Sequence, residues 1–211
     1  MKQANDLHLQ YGCGLSAPEG WVNFDASPWV ALRRIPLGGW LARRRGPAFP
    51  KNVRYGDVVR GLPVADGSCR AIYCSHVLEH LAMADAQEAL ANTFRYLQPG
   101  GVFRLVVPDL QRLARDYLAA GDGDPAGTFM DRAALGMRSR PRGLSGFLRA
   151  WLGHSRHRWM WDFASLSEEL RRAGFEGIRR ASCGDSALAR FGEVEDPDRW
   201  EECLGLECRR P

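Results

Sequence analysis

The sequence predicts an α/β protein built on a mostly parallel sheet. Short apolar runs alternate with longer segments of helical period. One of the runs, Ala71–Cys74, is apolar at consecutive positions, as strands buried on both faces are. Most of the runs stop at Gly, Asp or Pro. The 211 residues suit one domain, 1–211, and the balance of 45% hydrophobic to 26% charged residues is that of an ordinary globular chain.

Taken in order, Leu7–Tyr11 reads as a first strand running into Gly12-Cys13-Gly14, and Trp21–Phe24 as a second ending at Asp25. Only Leu15–Gly20 separates Gly14 from Trp21. A parallel crossover ordinarily needs about a dozen residues, usually with a helix, so the first crossover must be shortened to turns. Residues 27–45 look helical but broken near Pro36 and Gly38-Gly39. Asn52–Tyr55 is a weak third strand and Ala71–Cys74 a fourth of buried type. Ala84–Leu97 is a helix stopped by Pro99-Gly100-Gly101. Val102–Val107 is the clearest strand, ended by Pro108-Asp109, and Leu110–Ala120 a helix. Residues 121–160, rich in Gly, Pro and Arg, are too long for a plain connection and read as a lid or substrate loop with short helices. Ser165 is the expected N-cap of a helix to Ala173, with Gly174 past its end. Ile178–Ala181 and Cys203–Cys208 read as late strands that pair antiparallel at a sheet edge.

Composition narrows the function classes. No secretory h-region follows Met1, and Arg33, Arg34 and Pro36 interrupt the most membrane-like stretch, Trp29–Leu41. The six cysteines form no C-x-x-C pair and no zinc spacing with His, so they read as reduced thiols of a cytoplasmic protein, with no metal expected. Net charge is only +4, but residues 125–160 carry seven Arg against the single acid Asp131. That excess suits an anionic acceptor. It equally suits an arginine-rich composition in which Lys2 and Lys51 are the only lysines. No nucleic-acid-binding module is recognisable, so no nucleic-acid partner is expected.

Five segments carry chemistry: Gly12-Cys13-Gly14; Gly20-Trp21-Val22-Asn23-Phe24-Asp25; Leu62-Pro63-Val64-Ala65-Asp66; Glu79-His80-Leu81; and Leu97-Gln98-Pro99-Gly100-Gly101. Glycines after a first strand let backbone approach a nucleotide, and an acid ending the second can accept from two ribose hydroxyls. Either feature alone reads equally as a tight turn and a solvated Asp. In this order and spacing, the segments resemble the class I S-adenosylmethionine-dependent methyltransferases, more closely the small type-11-like predicted methyltransferases. The likeness runs from Leu7 to Leu110 and resumes at His157–Asp162 and Leu166–Phe175. Two departures stand out: Ser16 where a third glycine is usual, and Ser68-Cys69-Arg70 where S-F-D is common.

The resemblance implies a Rossmann-like, doubly wound, mostly parallel sheet with an antiparallel C-terminal edge strand and a shortened first crossover. It implies S-adenosylmethionine as cofactor, with Gly12, Cys13 and Gly14 under its methionine part. Asp25 would hold the ribose, Asp57 and the Val58 backbone the adenine, and Ser75 and His76 would lie beside the sulfonium. Among His76, Glu79 and His80, His76 is the candidate base for a hydroxyl acceptor. Glu79-His80 reads rather as a polar network tying a helix to the sheet. The aromatic–basic patch His154–Trp161 offers His157, Arg158, Trp159 and Trp161 to a small or glycan-like acceptor, or packs on the core through its Trp residues. Two other readings stay open: a non-catalytic partner module of the same fold, and a nicotinamide-dependent oxidoreductase. The missing helix after Gly14 counts against the second, since a pyrophosphate would lose its helix N-terminus.

Overall fold

The computed structural model describes residues 6–35, 38–40, 44, 46–139 and 156–211. Seven strands form one sheet: β1 (Leu7–Tyr11), β2 (Val22–Asp25), β3 (Val53–Tyr55), β4 (Cys69–Ser75), β5 (Leu97–Pro108), β6 (Glu176–Ala181) and β7 (Cys203–Arg209). Their order is β3-β2-β1-β4-β5-β7-β6. The first five run parallel; β7 is antiparallel to both β5 and β6. The two late strands pair antiparallel as expected. The antiparallel one, β7, lies one place in from the edge, which β6 forms.

The helices are α1 (Pro28–Leu32), α2 (Met83–Tyr96), α3 (Leu110–Ala119), α4 (Pro125–Arg132), α5 (Phe163–Arg172) and α6 (Pro197–Trp200), with a 310 turn at Leu78–His80. Among the described residues no helix is long and apolar enough to cross a membrane.

Alternation along the strands supplies two cores. Leu9, Ile72, Phe103, Leu105, Leu204 and Leu206 face the larger one, closed by Leu90 of α2 and Leu166 and Leu170 of α5. Tyr73, Val102 and Val106 face the other side, against Trp21, Phe191 and Trp200. Gly205 lets that Trp200 ring lie on β7, since an added Cβ would overlap it.

No helix lies between β1 and β2, and two buried amides satisfy the short loop instead. Gln10 donates Nε2–H to the Ser16 carbonyl at 2.8 Å and to Asn23 Oδ1 at 2.6 Å. Asn23 Nδ2 donates to the Pro18 carbonyl at 3.1 Å. Carbonyls that a helix would have paired internally are thus paired by side chains from the strands.

The order of the sheet also places the ligand end. The chain moves outward from β1 to β3, then crosses back to β4 on the other side of β1. A crevice opens at such a reversal, outside the strand C-termini. Tyr11 is in register with Cys74, which brings Gly12 and Ser75 side by side at that end.

Candidate active site

The loop leaving β1 turns twice through the left-handed region, Gly12 at φ 66 and Gly14 at φ 55. At Gly12 an added Cβ would overlap the Val77 side chain; at Gly14 nothing stands within 4 Å. The first glycine therefore permits close packing against the chain leaving β4, and the second leaves an uncovered backbone surface. Asp25 braces this loop. Its carboxylate accepts the Gly14 N–H at 2.9 Å and the Ser27 N–H at 2.7 Å. A carboxylate has about four acceptor positions, so two remain for hydroxyls. Cys13 between the glycines is buried beside Val30 and Val53, and burial, helped by the Asp25 charge, pushes its thiol up to about 12. It is a neutral packing residue whose backbone joins the loop.

Asp57 and Val58 follow β3. Asp57 accepts the Val59 N–H at 3.0 Å. Asn92 of α2 donates to the Val58 and Val59 carbonyls, and Tyr96 of α2 accepts the Leu62 N–H at 2.7 Å. The helix read from the sequence at Ala84–Leu97, α2 here, is thus what fixes this segment in place.

At the end of β4, Ser75 Oγ and its carbonyl accept from the Arg199 guanidinium at 2.9 and 2.8 Å. His76 has a φ of 55, rare for a residue with a side chain. Its Nδ1 meets Glu79 Oε1 at 2.9 Å and its Nε2 the Arg199 carbonyl at 2.9 Å, with Cys203 Sγ at 3.8 Å. Burial disfavours the charged ring, but the contacts with Cys203, Glu79 and the Arg199 carbonyl outweigh it and hold His76 up at about 10. With both ring nitrogens turned to acceptors, His76 presents no lone pair to a substrate here. The ring expected as a candidate base thus bridges the 310 turn, α6 and β7 in this structure.

The segment Arg156–Trp161 lies on that same turn. The Glu79 carbonyl accepts the Arg158 N–H at 2.7 Å and the Trp159 N–H at 3.2 Å, and His80 Nδ1 meets the Arg156 carbonyl at 3.0 Å. His157 Nδ1 meets the Ala133 carbonyl at 2.7 Å, and the His80 and His157 rings stand edge to face at 5.0 Å. Burial holds His157 below the usual histidine range. Glu79 itself is fully buried, with Oε1 on His76 and Oε2 without a partner among the described residues. An unpaired buried acceptor costs roughly 1–3 kcal/mol, more when charged.

The expected acceptor patch therefore divides. Arg158 and Trp159 have exposed side chains, and His157 faces the Glu79-His80 turn. Trp161 is wholly buried in the larger core and bridged to Asp109, as the packing alternative has it. Arg132 is paired with Asp116 and Glu202, and Arg138 with Asp131, which lowers the free positive charge of this region. Arg140, Arg142, Arg149 and His154 lie outside the described residues. Sequence reasoning missed the role of Arg199, a residue with no local motif; its only signal is a Pro-Asp-Arg-Trp helix start.

A family model described as a methyltransferase domain matches residues 12–179. An uncharacterized 37.1 kDa protein in transposon TN4556 of Streptomyces fradiae is 40% identical over 113 residues, 52% of this chain and 32% of that protein. The match thus spans about a third of the curated relative's length. A solved structure from Thermotoga maritima, described as an S-adenosylmethionine-dependent methyltransferase and possible histamine N-methyltransferase, superposes with a TM-score of 0.53 at 14% identity, over 97% of this chain and 82% of that one. A structure described as an S-adenosylmethionine-dependent methyltransferase from Archaeoglobus fulgidus does so with a TM-score of 0.51 at 13% identity, over 99% and 87%. At such identities these two show a shared fold.

Proposed function

The chain belongs to the methyltransferase-domain family matched over residues 12–179, and from that premise we propose that it transfers a methyl group from S-adenosylmethionine to the hydroxyl of a small, glycan-like acceptor. The observation that carries this reading is the braced loop: Gly12 and Gly14 left-handed at the end of β1, and Asp25 at the end of β2 with acceptor positions to spare. The uncovered backbone at Gly14 suits the methionine part of the cofactor, Asp25 the ribose hydroxyls, and the Asp57-Val58 segment the adenine. When bound, the cofactor supplies a methyl carbon on a sulfonium, and the sulfur keeps the bond pair as the carbon leaves.

Methyl transfer to oxygen needs an in-line approach and somewhere for the hydroxyl proton to go. Val77 packs the chain leaving β4 against Gly12, and Arg199 ties the end of β4 to α6. Arg158 and Trp159, exposed on the segment pinned by the Glu79 carbonyl, are the proposed acceptor contacts. An exposed guanidinium beside an indole suits a sugar ring bearing an anionic group. This reading takes residues 1–211 as one domain in a cytoplasmic setting, with which six free thiols agree.

Calorimetry with S-adenosylmethionine and S-adenosylhomocysteine tests the reading, with NADH as control. Micromolar binding of the first two, lost in Asp25→Ala with the thermal midpoint of the variant recorded alongside, is the expected result. Binding of NADH instead would point to an oxidoreductase, and binding of none of the three to a partner module of the same fold.

A further inference from the structure

We propose that Glu79, His80 and His157 form a divalent-metal site whose remaining coordination position takes the acceptor hydroxyl, an inference that rests on the methyl-transfer reading above. The three residues come from the 310 turn after β4 and from the distant segment pinned upon it. One donor atom from each lies within 4.8 Å of the other two. Ligand atoms about 2.1 Å from a shared tetrahedral ion stand about 3.4 Å apart, so the side chains must turn inward on binding.

The hydrogen bonds identify which atoms are offered. His80 directs Nδ1 at the Arg156 carbonyl and His157 directs Nδ1 at the Ala133 carbonyl, at 3.0 and 2.7 Å. A carbonyl only accepts, so each Nδ1 carries the proton and each neutral ring keeps its lone pair on Nε2. Metal-binding histidines are held in this way by an outer backbone carbonyl. Glu79 is held in the same manner, with Oε1 on His76, while Oε2 is buried and has no partner among the described residues. All three ligands thus have an outer partner, and the carboxylate has one oxygen that only a cation or donor would satisfy.

Two imidazoles and a carboxylate favour borderline first-row ions such as Zn2+, Co2+, Mn2+ or Fe2+ over Mg2+. Three protein ligands leave a position open, as catalytic sites do and structural ones do not. The place also fits. The turn lies at the ligand end of β4, one residue beyond Val77, which packs on Gly12. His76 offers no free nitrogen, so deprotonation needs another source, and a dication lowers the pKa of a bound hydroxyl. In the balanced step the O–H bond breaks with its proton passing to solvent, the oxygen pair bonds to the methyl carbon, and the carbon–sulfur pair remains on sulfur. Local cysteine and histidine spacing gave no expectation of a metal, because the third ligand arrives from far along the chain.

The test uses the whole chain after treatment with a chelator. Co2+ is added and followed by visible absorption, and Zn2+ and Mg2+ by calorimetry. Stoichiometric Co2+ binding displaced by Zn2+, much weaker Mg2+ binding, and a loss of about tenfold or more in Co2+ affinity in His80→Ala and His157→Ala are expected. Both variants should keep their S-adenosylhomocysteine affinity; His157→Gln replaces any variant that does not fold. Absence of stoichiometric Co2+ binding, or unchanged Co2+ affinity in folded variants, overturns the site. Because the readout needs no cofactor, the two readings fail separately. Co2+ binding without S-adenosylhomocysteine binding overturns the acceptor role, and the reverse overturns the metal alone.

Discussion

At Gly12 two demands meet on one residue: a left-handed backbone at φ 66 and a neighbour, Val77, occupying the space where a Cβ would stand. Gly12→Ala should cost about 2–4 kcal/mol from the combined backbone strain and overpacking. In a Val77→Ala background the overlap goes and only the backbone strain remains. A urea double-mutant cycle should therefore show Gly12→Ala costing less there than in the wild type. Equal costs in both backgrounds would mean that the two positions do not touch. Asp25 and Gly14 were legible as a pair from sequence, because strand ends and glycines leave a local pattern. The inward turn of both His76 nitrogens was not, since Arg199 and Cys203 reach it from more than a hundred residues away.

Among the elements, β5 holds the least expected residue. Arg104 is fully buried in the midst of an apolar strand. It is paired with Glu195, with Asp185 at 2.9 Å and with Glu207 of β7 at 3.2 Å, and its guanidinium lies 4.6 Å from the Trp200 ring centre. Glu195 and Glu207 are themselves buried; Glu207 keeps the Arg179 guanidinium at 2.8 Å, so Arg104→Ala would leave Glu195 without a cation among the described residues and Glu207 with one fewer. A loss of about 3–5 kcal/mol in urea unfolding is expected. A loss below about 1 kcal/mol would show that water reaches the pair. The sequence does contain a signal here, a lone Arg in Val102–Val107 and a lone Glu in Cys203–Cys208, but strand partners cannot be read from one strand. Helix ends show the same limit at short range. Asp162, not Ser165, is the N-cap of α5, and Ser165 sits three residues on in a reciprocal capping box. Asp-x-x-Ser offers two capping oxygens, and only the observed geometry decides between them. Helices α4 and α6 are eight and four residues long, too short for their period to stand out.

Across the whole molecule, charge ties the C-terminal half to the parallel sheet, and that makes stability depend on acidity. Asp185 joins Arg179 of β6, Arg104 of β5 and the Ser182 backbone. The Arg179 guanidinium above all, against the opposing effect of burial, holds its carboxyl well below the usual carboxylate range. Asp162 is likewise held low by Ser165. A carboxyl whose folded pKa is depressed contributes stability that is fully present above its unfolded value, about 3.9, and is lost as pH falls through the folded one. The urea midpoint should therefore be level through neutral pH as far as these groups govern it, and drop from about pH 4 downward. Asp185→Asn removes one titrating group while keeping part of its hydrogen bonding. It should lower the midpoint at pH 7 and narrow the gap between pH 7 and pH 3. The sheet would then be held at its antiparallel side by charge pairing and at its parallel side by apolar burial, which does not titrate. If Asp185→Asn and the wild type lose the same amount between pH 7 and pH 3, the acid sensitivity arises elsewhere and this division of the molecule is wrong.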